Sequence, residues 1–382
     1  MNATPATGSE NHTGLYIHVP FCRARCRFCG FYFETDADGL MERLIEAELR
    51  ELSRVPPNEV TTAYIGGGSP TTLPLSLLAR LIKAVYAGQP RVRELTVECN
   101  PEQVTRDSLR TLRQLGVTRL SIGAQSFNDE ELAWMGRTHR SSDITAAVEA
   151  AGQGGYDNIA LDLIFALPGS TEQTWQHTLD CARRLEPAHV SIYGLTIEPN
   201  TPLAAQIKSG KIKVLDEAQD RAQYQQGISA LEEVGIKQYE ISNFAREGYE
   251  SRHNLGYWHN QPYIGIGPSA SSYWRNRRTS NVASLTQYVR AIETDQSAVG
   301  ESVSTDAASQ ACETAVLNLR TREGIHLKTF NKTTGYDIMR SFAEPIERYR
   351  ALGLLTLEGD RLYLTREALP IADSVLCDFA AL

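Results

Sequence analysis

A short apolar run followed by an amphipathic helical pattern recurs six times in the first half of this chain, and few folds tolerate that rhythm. The runs are Leu15–His18, Thr62–Ile65, Glu94–Glu98, Arg119–Ile122, Asn158–Leu163 and His189–Tyr193. Between them, apolar residues at helical spacing mark Leu40–Leu52, Leu75–Tyr86, Ser108–Leu115, Ile144–Ala151 and Thr171–Leu185, the last opened by a capping-box pattern from Ser170 to Gln173. Strands separated by whole helices pair in parallel, because a parallel neighbour is reached only by a crossover. The expected class is therefore α/β. Six units are too few to close an eight-stranded barrel, which leaves an open partial barrel or a doubly wound sheet. In both, chemistry collects at the carboxyl ends of the strands.

The rhythm stops near Pro199. Lys208–Arg246 has the pattern of a polar connector with a long helix at Asp216–Val234, and Glu247–Arg278 is rich in Gly, Tyr, Trp and Asn with weak periodicity. Beyond about Ser302, helices precede two short strand patterns, Leu355–Glu358 and Arg361–Leu364, joined by Gly359-Asp360. We divide the chain into a tail (1–14), a partial barrel (15–205), a connecting and barrel-flanking segment (206–301) and a small helical, winged-helix-like domain (302–382). That last domain carries no basic run, so it is expected to pack rather than to bind DNA. With 38 Lys and Arg against 46 Asp and Glu, the net charge of −8 provides no field that would draw the protein onto nucleic acid. No apolar stretch approaches a membrane span, and Met1–Asn11 has neither the basic nor the apolar part of a signal peptide, so a cytoplasmic location is expected.

Seven cysteines, an odd number without a secretory signal, argue against a disulfide framework. Cys99, Cys181, Cys312 and Cys377 are scattered and are expected to be small buried hydrophobes. Cys22, Cys26 and Cys29 fall together in a loop just after the first strand. Three thiols at that spacing suit one soft metal centre. Zinc would want a fourth protein ligand, and no Cys or His follows at a finger-like distance. A four-iron, four-sulfur cluster held by three thiolates instead leaves one iron open for a ligand. Arg23, Arg25 and Arg27 would offset the negative charge.

The trio, with aromatic Phe28 before its last cysteine, resembles the signature of radical S-adenosylmethionine (radical SAM) enzymes. The resemblance implies a 4Fe-4S cluster whose open iron chelates SAM, and an electron, delivered by a donor such as flavodoxin or ferredoxin, that cleaves it to a 5′-deoxyadenosyl radical. Other residues at strand ends extend it: the turn Gly66-Gly67-Gly68-Ser69-Pro70, Glu98, Gln125 and Asp162. A carboxylate, an amide and a glycine turn converging on one face suit a zwitterionic nucleoside. The wording of these motifs is similar to that of oxygen-independent coproporphyrinogen oxidases and the related HemW-type heme chaperones. Position by position, the resemblance assigns Tyr16, Gly67 and Glu98 to one SAM, and Gly68, Ser69, Gln125, Arg137 and Asp162 to a second. Taken without the family, Arg137 is equally a surface cation at a helix end. The segment Leu317-Asn318-Leu319-Arg320 through Gly324-Ile325 is also familial.

Two features separate the branches. The oxidases carry a further cysteine where this chain has Phe31, and a long N-terminal extension. The run His253-Asn254-Leu255-Gly256-Tyr257-Trp258 instead fits the HNxxYW pattern linked to heme in the HemW branch. An imidazole can ligate heme iron and the two aromatics can stack on a macrocycle, although a lone buried histidine is equally a packing residue. Gly30-Phe31-Tyr32 and Ser271 depart from that branch, which usually has Asp after the third cysteine and commonly His at the serine's position. The resemblance thus implies, first, a heme chaperone with an acceptor protein. Behind it stand an anaerobic heme- or porphyrin-modifying enzyme and a two-SAM methyltransferase or cyclopropane-forming enzyme.

Overall fold

The computed structural model describes residues 12–30, 32–35 and 39–382. Phe31 and the Met1–Asn11 segment lie outside the described residues. The first half alternates as β1 (Gly14–Val19), α1 (Leu40–Leu52), β2 (Thr62–Gly67), α2 (Leu75–Gly88), β3 (Glu94–Cys99), α3 (Arg106–Gln114), β4 (Arg119–Gln125), α4 (Asp129–Met135), α5 (Ser141–Gln153), β5 (Ile159–Phe165), α6 (Glu172–Arg184) and β6 (His189–Gly194). Strands β1 to β6 lie side by side in parallel, in chain order. This is an α/β partial barrel, as the strand and helix rhythm implied. Helix α6 starts one residue later than the sequence pattern implied: its capping box is Thr171 with Thr174, not Ser170 with Gln173.

Both edges of the sheet are extended. After α7 (Pro202–Lys208) and α8 (Glu217–Glu232), the short β7 (Lys237–Gln238) and β8 (Asn243–Ala245) add antiparallel pairing beside β6. Helix α9 (Arg252–Trp258) then leads to β9 (Tyr263–Ile266), which pairs parallel with β1. Strands β10 (Ser271–Trp274) and β11 (Arg277–Asn281), helix α10 (Leu285–Glu293) and β12 (Val299–Ser304) complete a sheet of twelve strands among the described residues. The weak periodicity of Glu247–Arg278 has a simple cause: its elements are too short to display a period.

The C-terminal module holds α11 (Ala307–Leu319), β13 (Ile325–His326), α12 (Leu327–Thr334), α13 (Ile338–Ser341), α14 (Ala343–Ala351), β14 (Leu355–Glu358), β15 (Arg361–Leu364) and α15 (Ala372–Leu376), with its three strands in the order β13-β15-β14. The familial Leu317–Arg320 segment docks it on α9. Asn318 Nδ2 donates to the Trp258 carbonyl at 2.8 Å, and the Arg320 guanidinium stands 5.1 Å from the Trp258 ring. Among the described residues, no helix is long and apolar enough to cross a membrane.

Burial follows a period of two along the parallel strands. Leu15, Ile17, Ala63, Ile65, Leu95, Val97, Leu120, Ile122, Leu161, Leu163, Val190 and Ile192 are buried toward the helices, against side chains such as Leu44, Leu81, Leu112 and Leu179. The scattered cysteines divide: Cys99 and Cys312 are buried, but Cys181 is partly exposed on α6 and Cys377 is exposed. The expectation of burial fails outright for Cys377, just past α15, and holds only in part for Cys181, which packs partly against the core.

Candidate functional site

The other face of the same strands is polar. Tyr16, His18, Thr62, Tyr64, Glu94, Thr96, Glu98, Arg119, Ser121, Asp162, His189 and Ser191 alternate with the apolar set. Parallel strands covered by helices on both faces are normally apolar on both. Burying this many polar groups costs free energy unless they pair or serve a ligand. The register aligns them: Tyr16 lies beside Tyr64, Glu98 beside Ser121 and Gly123 beside Asp162.

The cysteine loop leaves β1 at the carboxyl end of the barrel. It is tied down at both sides: Cys22 N donates to Glu34 O at 3.0 Å, Arg27 N to Met135 O at 3.0 Å, and Leu203 N to Arg27 O at 3.1 Å. Phe28 packs its partly buried ring against the core. All three thiols are partly exposed and none is in a disulfide. Burial, and the neighbouring Cys29 and Cys26, push the Cys22 thiol up to about 12 despite Arg137. Among the described residues, no three His, Cys, Asp or Glu side chains are grouped around the position of a single ion. Arg137 is not a surface cation. Its Nη1 lies 3.5 Å from Cys26 Sγ, and Nη2 donates to Asn100 Oδ1 at 2.6 Å and to Gly123 O at 3.3 Å. The turn that carries it is pinned by buried His139, which pairs with Ala124 O at 3.1 Å and faces Glu102 at 3.6 Å.

The glycine turn brings backbone close to the loop. Gly67 has φ +111°, and a Cβ there would lie 2.5 Å from the His18 ring; at Gly68 it would lie 2.7 Å from Phe21 O and 3.0 Å from Cys22 Sγ. Gly67 N donates to Glu98 Oε2 at 3.0 Å and the Tyr64 hydroxyl to Oε1 at 2.8 Å. Burial raises Glu98 to about 7; the Tyr64 bond opposes this, nearby Asp162 adds to it, and Gly67 and Arg119 oppose it. Asp162 is also raised by burial, against hydrogen bonds from Ser191 and Ser121 and the charge of Arg119. Gln125, at a bulge with φ +59°, keeps a buried Oε1 without a protein partner. Ser69 is engaged by the segment after β3, donating to Gln103 Oε1 at 2.7 Å. The strand ends thus gather a partly buried carboxylate, an amide oxygen without a protein partner and a glycine turn packed tightly on the cysteine loop, a set whose polar groups fit those of SAM.

His253 sits one residue inside α9, deep in the structure. Its backbone N–H and that of Arg252 donate to the two carboxylate oxygens of Glu94 at 3.0 and 3.1 Å. Its ring pairs through Nδ1 with Thr62 Oγ1 at 3.0 Å and through Nε2 with the Tyr257 hydroxyl at 2.8 Å. Burial, then His12 and Arg119, lower its pKa to about 3, so the ring is neutral, the form that binds a metal. Ligation through Nε2 requires the Tyr257 hydroxyl to give way. A cavity of about 1120 Å³ runs from Tyr16, Tyr64 and Glu98 past His253, Tyr257 and Tyr263 to Cys312 and Leu317 on α11. Tyr257 is in its wall. Trp258 is not, because its ring is held against Arg320.

Several residues of this site escaped the sequence reading. Tyr64, Thr62 and Arg119 are inward positions of strands already recognised, so counting in twos from Glu98 and its neighbours would have found them. Arg119 is 1% exposed, and its Nε and Nη1 lack protein partners. The carboxylates of Glu98 and Asp162 supply its counter-charge. Glu94 carries no local sign of its role, which is set by a helix far along the chain.

Residues 16–182 match the model of the Radical SAM superfamily, and residues 306–371 that of the HemN C-terminal domain. Over 371 residues the chain is 33% identical to the heme chaperone HemW of Bacillus subtilis, covering 95% of this chain and 98% of that one. It is 31% identical over 391 residues to the mitochondrial radical S-adenosyl methionine domain-containing protein 1 of Bos taurus, covering 98% and 88%. Among solved structures, the coproporphyrinogen III oxidase HemN of Escherichia coli aligns with a TM-score of 0.83 at 23% identity, over 97% of this chain and 90% of that one.

Proposed function

Since the chain belongs to the radical SAM superfamily, in its HemN-like group and close to the HemW heme chaperones, we propose that it carries heme bound through His253. In this reading Cys22, Cys26 and Cys29 hold a 4Fe-4S cluster, which supplies an electron for reductive cleavage of SAM. Tyr16, Gly67 and Glu98 seat that SAM, and Gly68, Ser69, Gln125, Arg137 and Asp162 seat a second. A flavodoxin or ferredoxin reduces the cluster, and an acceptor protein in the cytoplasm takes the heme.

The observation that carries the reading is the continuous cavity with a neutral imidazole and the tyrosines Tyr64, Tyr257 and Tyr263 in its wall. Its volume exceeds what small cofactors need, and its aromatic walls suit a flat macrocycle. Titration with heme is expected to give a ligated Soret band that His253→Ala shifts or weakens at unchanged cluster content. Absence of saturable binding at micromolar heme refutes it. Because the same cavity reaches Glu98, a modifying enzyme is the second reading. Progressive loss of the Soret band on adding SAM and reductant would favour it, and a stable band favours carriage.

A further inference from the structure

We propose that Arg278 and the hydroxyl of Tyr263 form a carboxylate-binding site in the wall of the cavity, and that a propionate arm of the heme occupies it. The inference rests on the reading of the cavity as a heme site with His253 as the iron ligand, and it deepens that reading by naming the groups that select a tetrapyrrole carrying carboxylates.

The strands that extend the barrel hold Arg278 in place. Tyr273 of β10 stands opposite Tyr263 of β9 on one side and Arg278 of β11 on the other, so the three form one row across the sheet. The guanidinium lies 4.4 Å from the centre of the buried Tyr273 ring. An arginine has five N–H groups. Here Nε and Nη2 donate to the Glu313 carboxylate of α11 at 3.0 and 2.7 Å, and Nη2 also donates to Asn260 Oδ1 at 2.9 Å. Among the described residues, Nη1 has only a long contact, 3.4 Å, to the Tyr263 hydroxyl. Burial raises that hydroxyl above its ordinary pKa, against the charge of Arg278, so it keeps its proton. An N–H of Nη1 and the O–H of Tyr263 are therefore left side by side to donate, and a carboxylate can accept from both. Arg278, Tyr263, Asn260 and Glu313 all line the cavity, and the Arg278 side chain is 30% exposed, so a ligand can reach it. From the imidazole, edge-on rings lead there: His253 to Tyr257 at 4.9 Å and Tyr257 to Tyr263 at 4.7 Å. A ligand whose iron sits at His253 must extend past two rings to meet Arg278, and the side arms of a macrocycle are the part of it that extends so far. Glu313 offsets much of the charge of Arg278, so the gain from a ligand carboxylate lies at the low end for a charge-assisted bond.

The probes are heme and heme dimethyl ester, in which both carboxylates are capped and uncharged. With cluster-loaded protein and the Soret band as readout, the unaltered chain is expected to bind heme about tenfold more tightly than the ester. In Arg278→Gln that preference is expected to fall below about twofold, and in Glu313→Gln, which removes the competing carboxylate, to grow. A pair that served only to dock α11 on the sheet would behave otherwise: either substitution breaks it, and each would then change heme and ester binding alike. The comparison of heme with ester in the unaltered chain and the E313Q arm both stand if R278Q fails to fold. Equal binding of heme and ester by the unaltered chain overturns the inference and leaves the heme reading intact, as does a preference that survives R278Q or drops in E313Q. If neither probe binds, the heme reading falls and this inference falls with it.

Discussion

Replacing Glu98 by Gln keeps the shape of the side chain and removes its charge, which makes the energetic cost of that charge measurable. In the folded chain the carboxyl titrates at about 7 against an ordinary 4.5, chiefly through desolvation. Between these values the folded chain holds a proton that the unfolded chain has released, so stability falls as pH rises and is lowest above about 7. At about 1.36 kcal/mol per unit, the shift corresponds to at most about 3 kcal/mol, and screening by solvent reduces it because Glu98 lines the cavity and is only partly buried. Other groups titrate in the same window with the opposite sign. His12, His18 and His253 are held neutral by burial and add stability as pH rises toward 6.5. The difference between wild type and E98Q cancels them. It also contains any change in Asp162, which interacts with Glu98. Urea unfolding of the cluster-free proteins, followed by tryptophan fluorescence from pH 4.5 to 8, should show wild type losing about 1–3 kcal/mol relative to E98Q by pH 7. An offset that does not change with pH is also expected, because an amide cannot accept from both Tyr64 and Gly67. Parallel stability curves would refute the reasoning. In cluster-loaded protein the same substitution should weaken SAM roughly ten- to hundredfold, the worth of one charge-assisted hydrogen bond.

Replacing Cys22, Cys26 and Cys29 together by Ala should abolish the cluster by iron and sulfide analysis; a full cluster in that variant would point to other ligands. Gly67→Ala should lower the melting temperature sharply, since it combines a φ of +111° with a Cβ 2.5 Å from the His18 ring. We expect a loss of about 1–3 kcal/mol, with SAM binding lost as well. Glu102→Gln should loosen the turn that carries Arg137. Burial opposes ionisation of Glu102, but the nearby His139, 3.6 Å away, and the bond from Thr138 bring it down to about 2. Its stabilisation is therefore present above pH 4.5 and fades as pH falls toward 2, so acid unfolding of E102Q should begin at higher pH than that of wild type.

What could be read directly from the residues was whatever depends on near neighbours along the chain. The six strand and helix patterns are built from spacings of two to four residues, so the parallel α/β core was legible. So were the loop that gathers three cysteines after the first strand and the placement of Glu98 and Gln125 at strand ends, whereas Asp162, expected to end its strand, lies in the middle of β5. The added strands around that core left little trace, because β7, β8 and β13 are too short to have a period. The pairings within the site left none. Tyr64 meets Glu98 across 34 residues, Arg137 meets Cys26 across 111 and Thr62 meets His253 across 191. Such contacts are fixed by which strands lie side by side and how far each is shifted against the next, since a shift of one residue would turn every inward side chain outward. The trio's spacing is legible without the fold. Only the folded barrel puts Arg137 on Cys26, seats Tyr64 between Glu98 and His253, and closes His253 between Thr62 and Tyr257.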